Sequence, residues 1–139
     1  MIVLDTNVLS EFMRAEPATQ VLAWVDAQPA MDLAISAITV AEILHGIARL
    51  PAGKRKQGLE AQAMAMFEED FAGKILPFDA HGAVEYAMLV AGSEANGRAV
   101  SMADAQIAAI CRVHGASIAT RNVRDFEFSG LSVINPWGV

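Results

Sequence analysis

A chain of 139 residues, 54% of them hydrophobic, is long enough for one domain with a real core and too apolar for disorder. Its net charge of −6 argues against a general nucleic-acid coat, which needs excess Lys and Arg, but not against an enzyme that cuts nucleic acid with local basic groups. The single cysteine, Cys111, excludes an intramolecular disulfide and suits a reducing compartment.

In chain order, Ile2-Val3-Leu4 reads as a strand, followed by helical patterns over about 7–14 and 18–27. A second strand is expected from Met31 to Ser36. A helix over about 40–50 carries Val40, Ile43, Leu44 and Ile47 on one stripe and stops near Pro51-Ala52-Gly53. The next helical pattern, 55–72, closes at Gly73 and carries Met64, Met66, Phe67 and Phe71. That set suits core packing or an exposed apolar stripe for a partner. Ile75-Leu76-Pro77 is a short strand, and a helix over about 80–96 ends at Asn96-Gly97. The segment 102–114 turns Ile107, Ile110 and Cys111 inward and stops at His114-Gly115. Ser117-Ile118-Ala119 and Leu131 to Ile134 read as the last strands. Short strands alternating with helices, with no repeat or linker, predict one α/β domain over residues 1–139, with a central, mostly parallel sheet covered by helices on both faces. The most apolar stretch, Leu33 to Ile47, is broken by Glu42 and His45 and is too short for a bilayer. Asp5 interrupts any N-terminal apolar run, so neither a signal peptide nor a membrane span is expected, and the cytoplasm is the expected location.

Three acids stand out. Asp5 directly follows three core residues, at the strand end where open α/β sheets place ligands. Glu42 lies three residues after Thr39, and Asp104 three after Ser101. Each fits a capping box, in which the acid reaches back to the N-cap amide, and each taken singly needs no other reason. As a set they are different. Parallel α/β topology gathers helix N-termini along one sheet edge, and three carboxylates a few ångströms apart would raise one another's pKa unless a cation offset them. Oxygen donors with no Cys/His set favour Mg²⁺ or Mn²⁺ over zinc. His45, His81 and His114 have no aligned partners and read as structural. No Ser–His–Asp set, glycine-rich phosphate loop or Cys pair can be assembled. Basic candidates for substrate contact are Arg49, Lys54, Arg55 and Lys56 in one stretch, and Arg121 with Arg124 in another. Trp24 and Trp137 read as packing or dimer residues.

Four blocks carry a family resemblance: Met1-Ile2-Val3-Leu4-Asp5-Thr6-Asn7-Val8, Ile38-Thr39-Val40-Ala41-Glu42-Ile43, Asp104-Ala105-Gln106-Ile107-Ala108-Ala109, and Ala119-Thr120-Arg121-Asn122-Val123-Arg124-Asp125-Phe126. In this order and spacing the chain resembles the PIN-domain ribonucleases, and more narrowly the VapC toxins of toxin–antitoxin pairs. The ending Val133-Ile134-Asn135-Pro136-Trp137 suits the FitB-like subgroup. The resemblance implies an α/β/α PIN domain that hydrolyses RNA with Mg²⁺ or Mn²⁺. Asp5 and Asp104 would be direct metal ligands, and Glu42 either a ligand or a hydrogen-bond acceptor from water beside the metal. A fourth acid is usual after the strand ending at Ala119, where this chain has Asn122, with Asp125 a short turn further on. Thr6 and Thr120 would hydrogen-bond near the metal, and Arg121 is the candidate contact to the scissile or adjacent phosphate. The resemblance also implies a homodimer and a VapB-like antitoxin that blocks the site and carries the complex to promoter DNA. Two rival readings are a PIN-fold module that only binds a protein partner, and a haloacid-dehalogenase-type phosphatase. The phosphatase motif normally carries a second acid where this chain has Asn7.

Overall fold

The computed structural model describes residues 1–138. Its strands are β1 (Ile2–Leu4), β2 (Leu33–Ser36), β3 (Ile75–Leu76), β4 (Ser117–Ala119) and β5 (Val133–Ile134). They form one sheet in the order β3-β2-β1-β4-β5, every pairing parallel, with Ile2 opposite Leu33 on one side and Ser117 on the other. The helices are α1 (Thr6–Glu11), α2 (Thr19–Ala27), α3 (Ala37–Ala48), α4 (Lys54–Ala65), α5 (Ala80–Ala95) and α6 (Met102–His114).

Successive strand residues point to opposite faces, and each face has its own core. Leu4, Leu33 and Ile35 join Val8, Leu9, Val21, Ile43, Phe67 and Phe71 on one face. Val3, Ala34 and Ile118 join Ile107, Ile110, Cys111 and Phe126 on the other. Strands buried on both faces read as unbroken apolar runs, which is why three or four residues of Ile, Val, Leu and Ala suffice for each of the inner strands. The three-layer α/β/α architecture with a parallel sheet follows the sequence expectation.

Several boundaries differ, each for a local reason. Residues Ala30–Asp32 form a 3₁₀ turn, so β2 begins at Leu33. Helix α3 begins at Ala37 rather than near residue 40, because buried Ser36 is the N-cap and accepts from the Thr39 amide at 3.1 Å. The pattern expected over 55–72 divides: α4 stops at Ala65 and a wider π turn over Met66–Asp70 follows. That turn seats Phe67 and Phe71 in the core, leaving only Met64 of the proposed apolar stripe exposed. The docking stripe expected there is therefore corrected to core packing. Gly73, at φ 71°, closes the turn in a conformation that favours glycine. The last strand is shorter than Leu131–Ile134, and an unpredicted 3₁₀ segment, Val123–Ser129, buries Phe126. No helix among the described residues is long and apolar enough to cross a membrane.

β1 pairs with β2 on one side and β4 on the other, while the chain runs outward from β1 in both directions. The crevice at the carboxyl ends of β1 and β4 is thus the topological switch point, the place where such sheets bind ligands.

Candidate functional site

Asp5 and Thr120 leave β1 and β4 side by side at this crevice. The Asp5 amide donates to Ala119 O at 2.9 Å, extending the strand pairing by one bond. As N-cap of α1, Asp5 accepts from the Thr6 amide at 2.9 Å through Oδ1. Its Oδ2 accepts from Thr120 Oγ1 at 2.7 Å and from Asn7 Nδ2 at 3.2 Å. The side chain is only 5% exposed, and burial pushes its pKa from 3.8 to about 6. Hydrogen bonds from Thr120 and Thr6 oppose that rise, while the charges of Asp104 and Glu42 add to it.

Asn7 explains why the phosphatase reading fails here. Instead of a second acid, this position supplies an amide that bridges Asp5 and Thr120 and accepts from the Arg121 backbone amide at 3.1 Å. It clamps the ends of β1 and β4 together.

Glu42 does not belong to a capping box. With Ser36 as the N-cap, it lies beyond the first turn of α3, and Thr39 is not the cap. Its Oε1 instead accepts from Thr6 Oγ1 at 2.6 Å. Because the single Thr6 hydroxyl proton is committed there, the 3.0 Å contact between the Thr6 and Thr39 hydroxyls has Thr39 as its donor. Asp104 does lie in the first turn of α6, where its amide donates to Ser101 Oγ at 3.1 Å. Burial raises its pKa, a hydrogen bond with Ser101 opposes this, and the charges of Asp125 and Glu42 raise it further.

Asp5, Glu42 and Asp104 line one pocket of about 450 Å³ together with Thr6, Asn7, Ser10, Arg121, Asn122 and Trp137. Glu11 lines it as well, an acid that the sequence reading missed. The available signal was a carboxylate set between the apolar positions Leu9 and Phe12 of a short helix. Glu11 is 4% exposed and accepts from the Ala18 amide at 2.8 Å, with Arg14 at 3.4 Å. Asp125 stands outside the pocket lining but close enough for its charge to act on Asp104. Thr120 is fully buried; its hydroxyl donates to Asp5 and accepts from the Asn122 amide at 3.0 Å. Arg121 places its guanidinium 5.2 Å from the Trp137 ring centroid. Beyond Thr6 and Glu42 a cleft of about 890 Å³ continues, with Arg14 and Arg55 on its walls. Of the basic stretch expected to meet substrate, only Arg55 reaches this cleft. Cys111 is buried, its thiol pushed up to about 12, and takes no part.

Among the described residues no ion pair neutralises Asp5, Glu42 or Asp104. Donor type and uncompensated charge both suit a hard divalent cation. The expected tight cluster is not preformed, however: no three Asp, Glu, His or Cys side chains among the described residues converge to hold an ion as they stand.

The PIN-domain family model matches residues 2–129. The chain belongs to the PIN-domain family. This PIN domain is 47% identical over 137 residues to the VapC ribonuclease Y4jK of Sinorhizobium fredii, covering 99% of this chain and 98% of the relative. It is 41% identical to the toxin FitB of Neisseria gonorrhoeae, covering 99% of each. The structure of FitAB bound to an IR36 DNA fragment superimposes with a TM-score of 0.94 at 40% identity, covering 100% of this PIN domain and 97% of that chain.

Proposed function

We propose that this PIN domain is the toxin of a toxin–antitoxin pair, an endoribonuclease that hydrolyses RNA phosphodiester bonds with Mg²⁺ or Mn²⁺. The carrying observation is the set of three carboxylates, with no cation paired to any of them among the described residues, that lines one pocket at the switch point of the sheet. The kinship with a VapC ribonuclease and a FitB toxin supports the reading.

Asp5 and Asp104 would hold the cation, with Glu42 as third ligand or as acceptor from water. When bound, the cation supplies a lowered water pKa and offsets charge on the phosphoryl oxygens. Asp5 is fixed for this task by donors from three residues, Thr6, Asn7 and Thr120. Glu42 gives one oxygen to Thr6, so the other can take a proton from the attacking water as its oxygen bonds to phosphorus. The phosphorus–oxygen bond to the leaving ribose oxygen breaks, and that oxygen takes a proton from solvent. Arg121, which lines the same pocket, would contact the scissile or adjacent phosphate. Asn122 lines the pocket at the position of the family's fourth acid and offers a neutral oxygen there.

A VapB-like antitoxin would block the pocket by placing an arginine against its acids, since a guanidinium pairs with carboxylates bidentately. The toxin would act in the cytoplasm as a homodimer, and contact with promoter DNA would run through the antitoxin, in keeping with FitAB on its DNA fragment. The rival, a non-catalytic module, draws on Asn122 and on the unconverged acids. Growth separates the two. Wild type alone is expected to arrest growth on induction, whereas Asp5→Ala, or wild type beside its neighbouring open reading frame, is not. Equal growth in all three cultures, with soluble protein in each, would favour the binding module.

A further inference from the structure

A guanidinium beside buried carboxylates ordinarily pairs with them. Arg121 does not. It is the one cation lining a pocket that also holds Asp5, Glu11, Glu42 and Asp104, yet among the described residues it makes no ion pair with any acid. It lies instead over the indole of Trp137, 5.2 Å from the ring centroid.

The backbone is held on both sides of this contact. The Arg121 backbone is fixed by the bond from its amide to Asn7 Oδ1. Trp137 is not a loose end: its amide donates to Asn135 Oδ1 at 2.9 Å, and its carbonyl accepts from Gln20 Nε2 at 2.6 Å. Pro136 before it is buried, and the indole packs against the core on the α1 and α2 face. The ring thus offers the guanidinium a fixed surface to rest against.

We infer that Trp137 is a positioning residue for the RNA-cutting reaction: it holds the Arg121 guanidinium away from the pocket acids and turned toward an incoming RNA phosphate. A guanidinium stacked on a ring keeps the N–H donors of its edge free for bidentate contact with phosphate oxygens. Held on the indole, it also leaves the carboxylates uncompensated and their oxygens open to a cation. This inference rests on the ribonuclease reading and extends it to the C-terminal segment, where the chain's second tryptophan otherwise looks like simple packing.

The test compares wild type with Arg121→Ala, Trp137→Ala, Trp137→Phe and the double variant Arg121→Ala/Trp137→Ala. Binding of a short single-stranded RNA is followed by fluorescence anisotropy in EDTA, and KM and kcat are measured separately with Mg²⁺. Trp137→Ala is expected to weaken binding and raise KM about fivefold, the worth of a partly exposed cation–π contact, with kcat changed less than about twofold. Trp137→Phe should restore most of the loss. In the Arg121→Ala background, Trp137→Ala should have no further effect, since it acts through the guanidinium. Unchanged binding in Trp137→Ala, or effects of the two substitutions that simply multiply, would overturn the inference. Should Trp137→Ala fail to fold, Trp137→Leu against Trp137→Phe carries the same comparison, and equal KM for those two would overturn it. A wild type that neither binds nor cuts RNA would remove the ribonuclease reading itself, and this inference with it.

Discussion

The two ends of α1 each carry a buried acid facing the same pocket, and they differ in every respect that matters for chemistry. Glu11, at the carboxyl end, is 4% exposed and is met by a backbone amide and by the Arg14 guanidinium. Asp5, at the amino end, is 5% exposed, has only neutral donors, faces two further carboxylates and is pushed up to about 6. Burial alone therefore does not mark a functional acid. A buried carboxylate given a cation by its own chain is structural; one that is hydrogen-bonded firmly in place and given no cation is arranged to receive one.

Breaking the cation-seeking end should have the largest effect. Asp104→Asn is expected to lower RNA cleavage at least about a hundredfold, because several kcal/mol of charge stabilisation at the phosphoryl group depend on the ligand set. The amide keeps the size of the side chain and the α6 cap through Ser101, so circular dichroism and melting should stay close to wild type. Cleavage at the wild-type rate would remove Asp104 from the site.

The pH dependence of stability sharpens the contrast next. The folded pKa of Asp5 lies above its ordinary 3.8, so the folded state holds that proton more tightly than the unfolded chain does. The resulting stability is fully present below about pH 4 and is lost as pH rises through about 6. The gap corresponds to about 3 kcal/mol. Urea titrations in chelator should show this decline in wild type, and Asp5→Asn should flatten it while being inactive. An identical slope in both proteins would mean that Asp5 is not the strained group.

At the other end, Glu11→Ala should cost about 1–2 kcal/mol, through the orphaned Ala18 amide and the lost Arg14 pair. Glu11→Gln should retain both the amide bond and cleavage within about twofold, because its role is to hold the start of α2. A cleavage loss in Glu11→Gln comparable to that of Asp104→Asn would place Glu11 among the metal acids.

The smallest change is expected from Asn122→Asp. An added charge in a pocket already holding Asp5 and Asp104 should tighten Mg²⁺ binding a few-fold and raise cleavage at limiting Mg²⁺. Isothermal titration checks this directly, and weaker binding would show that the neutral side chain is needed.

The mostly parallel sheet and the position of Asp5 were legible because short apolar runs alternate with helical patterns, and an acid ending such a run has no packing reason. Glu42 was legible as one of the three acids, but the capping box it also fits is not formed. Thr39 and Ser36 are both good N-caps three residues apart, and only the tertiary contact between the Thr6, Thr39 and Glu42 side chains shows which one the chain uses. Phe67 and Phe71 looked like a docking face because a regular helix was assumed, whereas the π turn rotates them inward. Glu11 and Trp137 escaped for a related reason. Their relation to the pocket depends on the Ala18 loop and the C-terminal segment folding back, contacts between residues far apart in sequence.

The most direct test of the central claim is the rate of RNA cleavage by the purified protein as Mg²⁺ or Mn²⁺ is titrated after chelation, for wild type beside Asp5→Ala. Wild type should be silent in EDTA and recover in a saturable way with either ion, and Asp5→Ala should not recover at any concentration that leaves it folded. Cleavage that persists undiminished in EDTA, or an Asp5→Ala protein that matches wild type across the titration, would contradict the account.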